Sequence, residues 1–480
     1  MSPPSISTNA IITHMINALG HSPDFKQHLL PVIGNEGVKC FYLESLVDKT
    51  RFEEFILQPI IKLEYGSNLE QLTSVLTNKM PSSFLQSVGN QETGLKYVLD
   101  GFILFVPLDE GKPFALDFSR IPARSVTEPV NEVTIRGPKE GFTEDMNVNL
   151  ALVRKRLKSS HLTYSKLTIG QETHTDVYIV YLQNLASPTI IAEAKRRLET
   201  IQTDSILESS YIEECIQDTA WTPFQQVYAT ERPDVVTAHL LEGSFCIITA
   251  GTPCVLIGPI TFFQLFNSPE DYYERADIAT LIRWLRMFSF LLAIFVPSVY
   301  IALVTFHQEV LPSSLLISLS SQREGIPFPA FLEAMIMLCT FEILREAGLR
   351  MPRITGQAIS IVGALVLGQS AVEAGLVSAS MVIVVSITAI ANFVTPSYSF
   401  GIAQRIIQFS FIILAGIVGM FGVTCGVLVL LTHLVSIRSF GVKYFTPLAP
   451  MHLAAFKDTL IRVPRPKMKR NHRSVSKRQP

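Results

Sequence analysis

The chain has 480 residues, 48% of them hydrophobic, with a mean hydropathy of +0.32 and a formal net charge of −1. That length exceeds one ordinary domain, the hydropathy is high for a soluble protein, and the balanced charge excludes the global positive field of a nucleic-acid binder. The six cysteines (40, 215, 246, 254, 339 and 425) form no CxxC or His-spaced pattern, so neither disulfides nor a metal centre is expected.

Residues 1–20 look loose. MSPPSISTNAIITHMINALG lacks the basic start and apolar core of a signal peptide, so the soluble half is expected in the cytoplasm. Residues 24–72 read as helix-rich, with apolar residues at helical spacing in FEEFILQPIIKLEY. GFILFVP, the turn LDEGKP and FALDF predict a hairpin. The Pro- and Gly-punctuated stretch SRIPARSVTEPVNEVTIRGPKEGF reads as loop and short strand. It spans the boundary between subdomains 21–135 and 136–267. A helix is predicted in TEDMNVNLALVRKRLKSS. Its acidic start (Glu144, Asp145) and basic end (Arg154, Lys155, Arg156, Lys158) follow the helix dipole; the basic end would also suit a phosphate or lipid headgroup. TDVYIVYLQ reads as a strand and AEAKRRLETIQ as a helix. Ser244–Phe266 is uncharged for 23 residues and long enough to span a bilayer. Yet FCIIT and CVLI flank the turn AGTP, and LEGSFCII echoes the earlier LDGFILFV, which predicts a buried hairpin instead.

Residues 268–440 read as a membrane domain. From Met287 to Ile437 there are eleven charged residues: Glu309, Arg323, Glu324, Glu333, Glu342, Arg345, Glu346, Arg350, Arg353, Glu373 and Arg405. Ser268, Pro269, Glu270 and Asp271 predict a helix start, and Arg283 and Arg286 with Trp284 mark a cytoplasmic interface. Apolar segments follow at 287–306, with Pro297 as a kink, and at 329–347, 356–372, 376–395 and 406–437. The last would be about 48 Å long as one helix, against a hydrocarbon core of about 30 Å. It is one long helix or two limbs bent at GMFGVTCG. Arg350 and Arg353 put the loop at 348–355 inside, 373–375 lies outside, and Arg405 lies inside. The tail, 441–480, carries eight Lys or Arg and no acid from Arg462 onward. It reads as a disordered segment or a polybasic contact with anionic lipid. A basic tail inside requires an even number of crossings, so either 406–437 crosses twice or 307–329 re-enters. The fold class is thus an α+β soluble N-terminal region followed by an α-helical integral membrane domain of five to six segments.

FLEAMIMLCTFEILREAGLR, residues 331–350, places Glu333, Glu342, Arg345 and Glu346 in an apolar setting. A charge at a bilayer centre costs about 2.5–3.5 kcal/mol. On a helix, Glu342 and Glu346 lie one turn apart with Arg345 near both, and Glu333 lies at the other end. This cluster either anchors the segment at its interfaces by snorkelling or turns Glu342 or Glu346 toward other subunits or a wet cavity. Segment 356–372 has no charge. Gly356, Ser360, Gly363, Ala364 and Ala371 form a small-residue stripe suited to close packing. Ile361, Leu365 and Val372 form a bulky stripe suited to lipid or another helix, and a third stripe holds Ile359, Val362, Val366, Gln369 and Glu373. Around an oligomer axis, Val362 and Val366 would make an apolar constriction, with Gln369 and Glu373 ringing a cation-favouring outer mouth. The alternative is packing of this stripe against 376–395 of the same subunit. No nucleophile–base pair, phosphate loop or metal motif occurs, so no catalytic residue, metal or cofactor is expected. His307 and His433, near segment ends, read as interfacial. With no internal repeat between 287 and 437, a secondary transporter is disfavoured.

The runs RGPKEGFTEDMNVNLALVRKRLK, TERPDVVTAHLLEGSFCIITAGTPCVLIGP, NSPEDYYERADIATLIRWLR, VTFHQEVLPSSLLISLSSQREGIPFPAFLEA, FEILREAGLRMPRITGQAISIVGALVLGQSAVEAGLVS and IRSFGVKYF resemble the A-subunit family of GerA-type spore germinant receptors. The match covers most of Arg136–Pro450; the first 90 residues and the tail match weakly. The resemblance implies a nutrient-sensing subunit in the inner membrane of dormant spores, surrounded by membrane lipids and with its N-terminal domain cytoplasmic. It also implies a permease-like B subunit and a lipoprotein C subunit as partners, and a homo-oligomer that conducts ions. The related stage V sporulation AF protein shares the motifs and is the alternative.

Overall fold

A computed structural model describes residues 8–30, 37–58, 85–108, 112–119, 129, 132, 134–350, 368–451, 456–464 and 466. From Thr8 to Leu19 the expected loose segment is helical. Thr8–Leu19 form α1, whose Ile11, Ile12, Met15 and Leu19 recur at helical spacing and are buried. The next stretch opens with strands where helix was expected, and residues 59–72 of it lie outside the described residues. Phe25–Leu30 (β1) and Val38–Leu43 (β2) pair antiparallel, with Phe25 opposite Leu43. Lys49–Phe52 (α2), capped by Asp48, continues as helix to Leu57. Leu85–Ser87 (β3), Gln91–Leu99 (α3), Phe102–Pro107 (β4) and Phe114–Asp117 (β5) complete the first unit. Its antiparallel sheet has the order β1-β2-β4-β5-β3.

The second unit repeats this plan. Met146–Arg156 (α4) leads into Leu162–Ile169 (β6) and Thr175–Leu182 (β7), then Pro188–Glu199 (α5) and Ser209–Ile216 (α6). Tyr228–Thr230 (β8), Pro233–Leu241 (α7), Phe245–Thr249 (β9) and Val255–Gly258 (β10) follow. The sheet order is β6-β7-β9-β10-β8, station for station the order of the first sheet. The echo of LDGFILFV in LEGSFCII falls on equivalent joints, α3 to β4 and α7 to β9. Each joint turns on a glycine, Gly101 and Gly243, at the same φ of 92°, a conformation that side chains disfavour. Ser244–Phe266 is therefore β9, β10 and a short 3₁₀ turn at Phe262–Phe266, all inside the α+β region.

The two units are joined through α4. Arg154, fully buried, donates to Asp24 and Ser22 of the first unit at 2.7 Å each, and Asp24 also accepts from Ser22 and Ser45. Lys155 and Arg156 meet Glu140, and Lys158 meets Asp100. The basic helix end is thus neutralised by the chain's own carboxylates.

One carboxyl of the second unit gives a pH test. Burial, with help from Glu208, pushes Glu213 on α6 up to about 7. A carboxyl whose folded pKa exceeds its unfolded value of about 4.3 destabilises the fold as pH rises between the two. Glu213→Gln should raise the melting temperature of the detergent-solubilised chain at pH 8, by the equivalent of about 1–3 kcal/mol. The difference should close by pH 4.

The remaining helices are Glu270–Tyr273 (α8), Ala276–Phe306 (α9), Ser313–Arg323 (α10), Ala330–Arg350 (α11), Ala379–Phe393 (α12), Tyr398–Val418 (α13) and Met420–Ser436 (α14). Residues 368–373 are also helical. The helix expected from Ser268 is broken: α8 ends at Tyr273, and Glu274 and Arg275 are extended before α9 begins. Helices α9 and α13 are long and apolar enough to cross a membrane, and α12 and α14 are shorter apolar helices. Pro297 sits buried within α9. The 406–437 stretch resolves into two antiparallel limbs, of 21 and 17 residues counted as α13 and α14. They meet at Gly419, whose φ is 68° and where a Cβ would come within about 3 Å of Phe306 and His307. Helix α10 buries none of its 11 residues and is too short to cross.

The chain then turns back onto the second α+β unit. Arg438–Ser439 (β11) and Val442–Lys443 (β12) form a two-stranded strap, and Val442, Tyr444 and Phe445 are buried. The expected tail boundary at 441 therefore cuts through packed structure. Phe456–Thr459 (α15) and Leu460 lie against the start of α9, where Trp284 Nε1 donates to the Leu460 carbonyl at 2.9 Å.

Candidate functional site: the domain–bundle junction and the bundle charges

The junction is built by segments far apart in sequence. Phe224 before β8, Phe262 and Phe266 after β10, Phe290 on α9, Phe400 on α13 and Tyr444 of the strap form one aromatic core. Phe290 stacks on Phe400 at 5.1 Å, and Phe224 meets Phe262 edge-on at 5.7 Å. The strap is sewn to the same place. Tyr444 donates to the Gln225 carbonyl (2.8 Å), Ser439 to the Gln226 carbonyl (2.7 Å), and the Phe440 amide to Asp218 (2.6 Å). Two bonds carry the junction into the α13–α14 hairpin. The Gln225 side-chain amide donates to Ser397 at 3.2 Å, and Thr222 Oγ1 lies 2.9 Å from His433 Nε2. Sequence reasoning missed this junction, although the aromatic run TFFQLF was a visible signal.

Arg283 and Arg286 do not face headgroups. Both are buried and converge on Asp271, with Arg283 Nε at 2.9 Å and Arg286 Nη1 at 2.8 and 2.9 Å from its oxygens. Arg283 also reaches Asp458 and stacks over Tyr272. A second, partly buried polar set ties α12 to α13. Thr395 donates to Gln404 (2.7 Å), Gln404 to Asn392 (2.8 Å), and Asn392 to Gln408 (3.2 Å). Such side-chain bonds hold helices together in apolar surroundings.

Glu333, Glu342, Arg345 and Glu346 separate into three settings. Glu333 is fully buried and accepts from the Ser378 amide (2.5 Å) and hydroxyl, at the N-terminus of α12. It does not snorkel; it caps another helix, where a negative charge meets the positive end of the dipole. Glu342 pairs with Arg345, and Arg405 of α13 approaches it at 3.7 Å. Glu346 pairs not with Arg345 but with Arg350, one turn on, at 2.7 Å. Of the proposed constriction stripe, Ile359, Val362 and Val366 lie outside the described residues. Gln369 and Glu373 are exposed and bonded to each other at 2.8 Å.

The domain pair, the hairpin and the strap can now be set beside known proteins. The family model described as Bacillus/Clostridium GerA spore germination protein matches residues 13–474. The chain is 43% identical over 436 residues to spore germination protein KA of Bacillus subtilis (strain 168), covering 91% of this chain and 80% of that one. It is 42% identical to the B. subtilis membrane protein YfkQ (88% and 82% covered) and 42% identical to spore germination protein GerLA of Bacillus cereus (72% and 70%). Among solved structures, the N-terminal domain of the A subunit of the Bacillus megaterium spore germinant receptor GerK3 aligns at 28% identity. That alignment covers 52% of this chain and 94% of that domain, with a TM-score of 0.40. With a family match that runs from α1 into the basic tail, and relatives matched over most of their length, this chain belongs to the GerA family of spore germination proteins.

Proposed function

We propose that the chain is the membrane subunit of a nutrient-germinant receptor in the inner membrane of the spore, and that copies of it assemble into an ion-conducting pore. The observation that carries the receptor reading is family membership across nearly the whole length. The bundle supports six crossings. The starts of α11 and α12 meet at Glu333 and Ser378. Glu342, late in α11, meets Arg405 near the start of α13. In this reading the apolar segment 356–372, most of which lies outside the described residues, is the return crossing. Counting that return with α9, α11, α12, α13 and α14 gives six, which leaves both the α+β region and the basic tail on the cytoplasmic side.

In this reading the 356–373 stripe faces the oligomer axis, and the exposed Gln369–Glu373 pair rings the outer mouth. A permease-like subunit and a lipoprotein subunit complete the receptor, and binding of nutrient by the assembly opens the apolar constriction. Ion release from germinating spores tests this. Val362→Ala should release cations without nutrient, and Glu373→Gln should slow nutrient-triggered release severalfold at normal protein levels. Wild-type release in both variants would move the pore elsewhere in the bundle.

A further inference from the structure

The chain contains two tryptophans, Trp221 and Trp284. Trp284, half-exposed, lies on α9 one turn before Phe288 and two before Leu291, both of them exposed apolar residues. It sits where a membrane helix carries its interfacial aromatics. Trp221 is different: it belongs to the loop between α6 and β8 of the α+β region, and it is 95% exposed. A single bare apolar residue is ordinary on a protein surface; what sets Trp221 apart is its position.

The structure says where that loop lies. Its next residue, Thr222, is bonded to His433 in the last turn of α14 at 2.9 Å. Phe224 packs against the same His433 ring. The opposite side of α14 carries an exposed stripe at helical spacing, Phe421, Leu428, Leu431 and Val435. That stripe runs to within two residues of His433 on its far side along the chain. Tyr398, at the first turn of α13 beside the Gln225–Ser397 bond, is exposed as well. Trp221 and Tyr398 therefore stand at the level where the lipid-facing surface of the hairpin ends and the α+β region begins. Amphipathic rings concentrate at this level of a membrane protein, an apolar body toward the chains and a polar edge toward the headgroups.

We propose that the Trp221 loop is a membrane-docking element: Trp221 inserts into the headgroup layer of the bilayer that surrounds α13 and α14, and holds the second α+β unit against the membrane surface. The occupant is lipid because the exposed apolar stripe of α13, Tyr398, Ile402 and Ile406, begins beside the Gln225–Ser397 bond that ties this stretch to the bundle. The inference rests on the membrane reading of the bundle, and Trp284 provides the control that separates the two.

Trp284→Phe leaves Trp221 as the sole tryptophan, and Trp221→Phe leaves Trp284. Each full-length variant is reconstituted into phosphatidylcholine nanodiscs in which a fraction of the lipid is brominated near the headgroup end of its chains. Trp221 emission should fall at least twofold on bromination and resist iodide added to the water. If Trp284 is quenched by bromolipid while Trp221 responds only to iodide, the loop faces water and the inference is overturned. If Trp221 responds to neither quencher, protein covers it, and the inference is overturned in that case too. If neither tryptophan responds to bromolipid, the membrane reading itself falls.

Discussion

Asp271→Asn should cost about 3–5 kcal/mol and remove most of the folded protein, because it leaves two buried guanidiniums facing a neutral amide. Arg283 and Arg286 are withdrawn from solvent and share this carboxylate, and among the described residues Arg286 has only the Phe266 carbonyl besides. The loss is read as a lower melting temperature in detergent and a smaller amount of protein in membranes. The nearby Asp277→Asn is the control. Asp277 pairs with Arg275 in the open, both side chains being largely exposed, so its loss should leave the melting temperature unchanged. Equal effects from the two substitutions would mean that burial of the Asp271 site is not what makes it matter.

Glu333→Ala should be nearly as damaging, at about 2–4 kcal/mol. It strands the Ser378 amide and hydroxyl at a helix N-terminus inside the protein, where unpaired donors are expensive. Glu333→Gln keeps an acceptor but not the charge and should lose about half as much. Thermal unfolding of the three proteins side by side checks the order. An alanine variant that melts like the wild type would show that the cap contributes nothing to stability.

What could be read from the sequence depended on how far each residue's partner lies along the chain. The β9–β10 hairpin was legible because its turn and both its strands are local, and because the same unit occurs at β4. Strand β2 was not. Val38, Cys40 and Tyr42 enter one core while Phe41 and Leu43 enter the other, so both faces are buried and no alternation survives. The orientation of Arg283 and Arg286 was hidden because Asp271 looked like an ordinary first-turn acid. Glu333 met its partner 45 residues away, and the strap's partners Gln225 and Gln226 lie more than 200 residues upstream. The duplicated sheet order was visible only as one short echo, since topology is preserved by patterns of burial that different side chains satisfy equally well.

Five residues of the junction, Thr222 to Gln226, hold both feet of the α13–α14 hairpin and the strap that leaves it. Mechanically this is a clamp on a two-legged lever. A tilt of the second α+β unit turns both legs together and does not pry them apart. The legs are about 26–31 Å long, so a 10° tilt about the clamp carries the bend at Gly419 by about 5 Å. That bend rests on Phe306 and His307, at the far end of α9. A small rotation on the domain side thus arrives at the opposite face of the bundle as a thrust against its central helix.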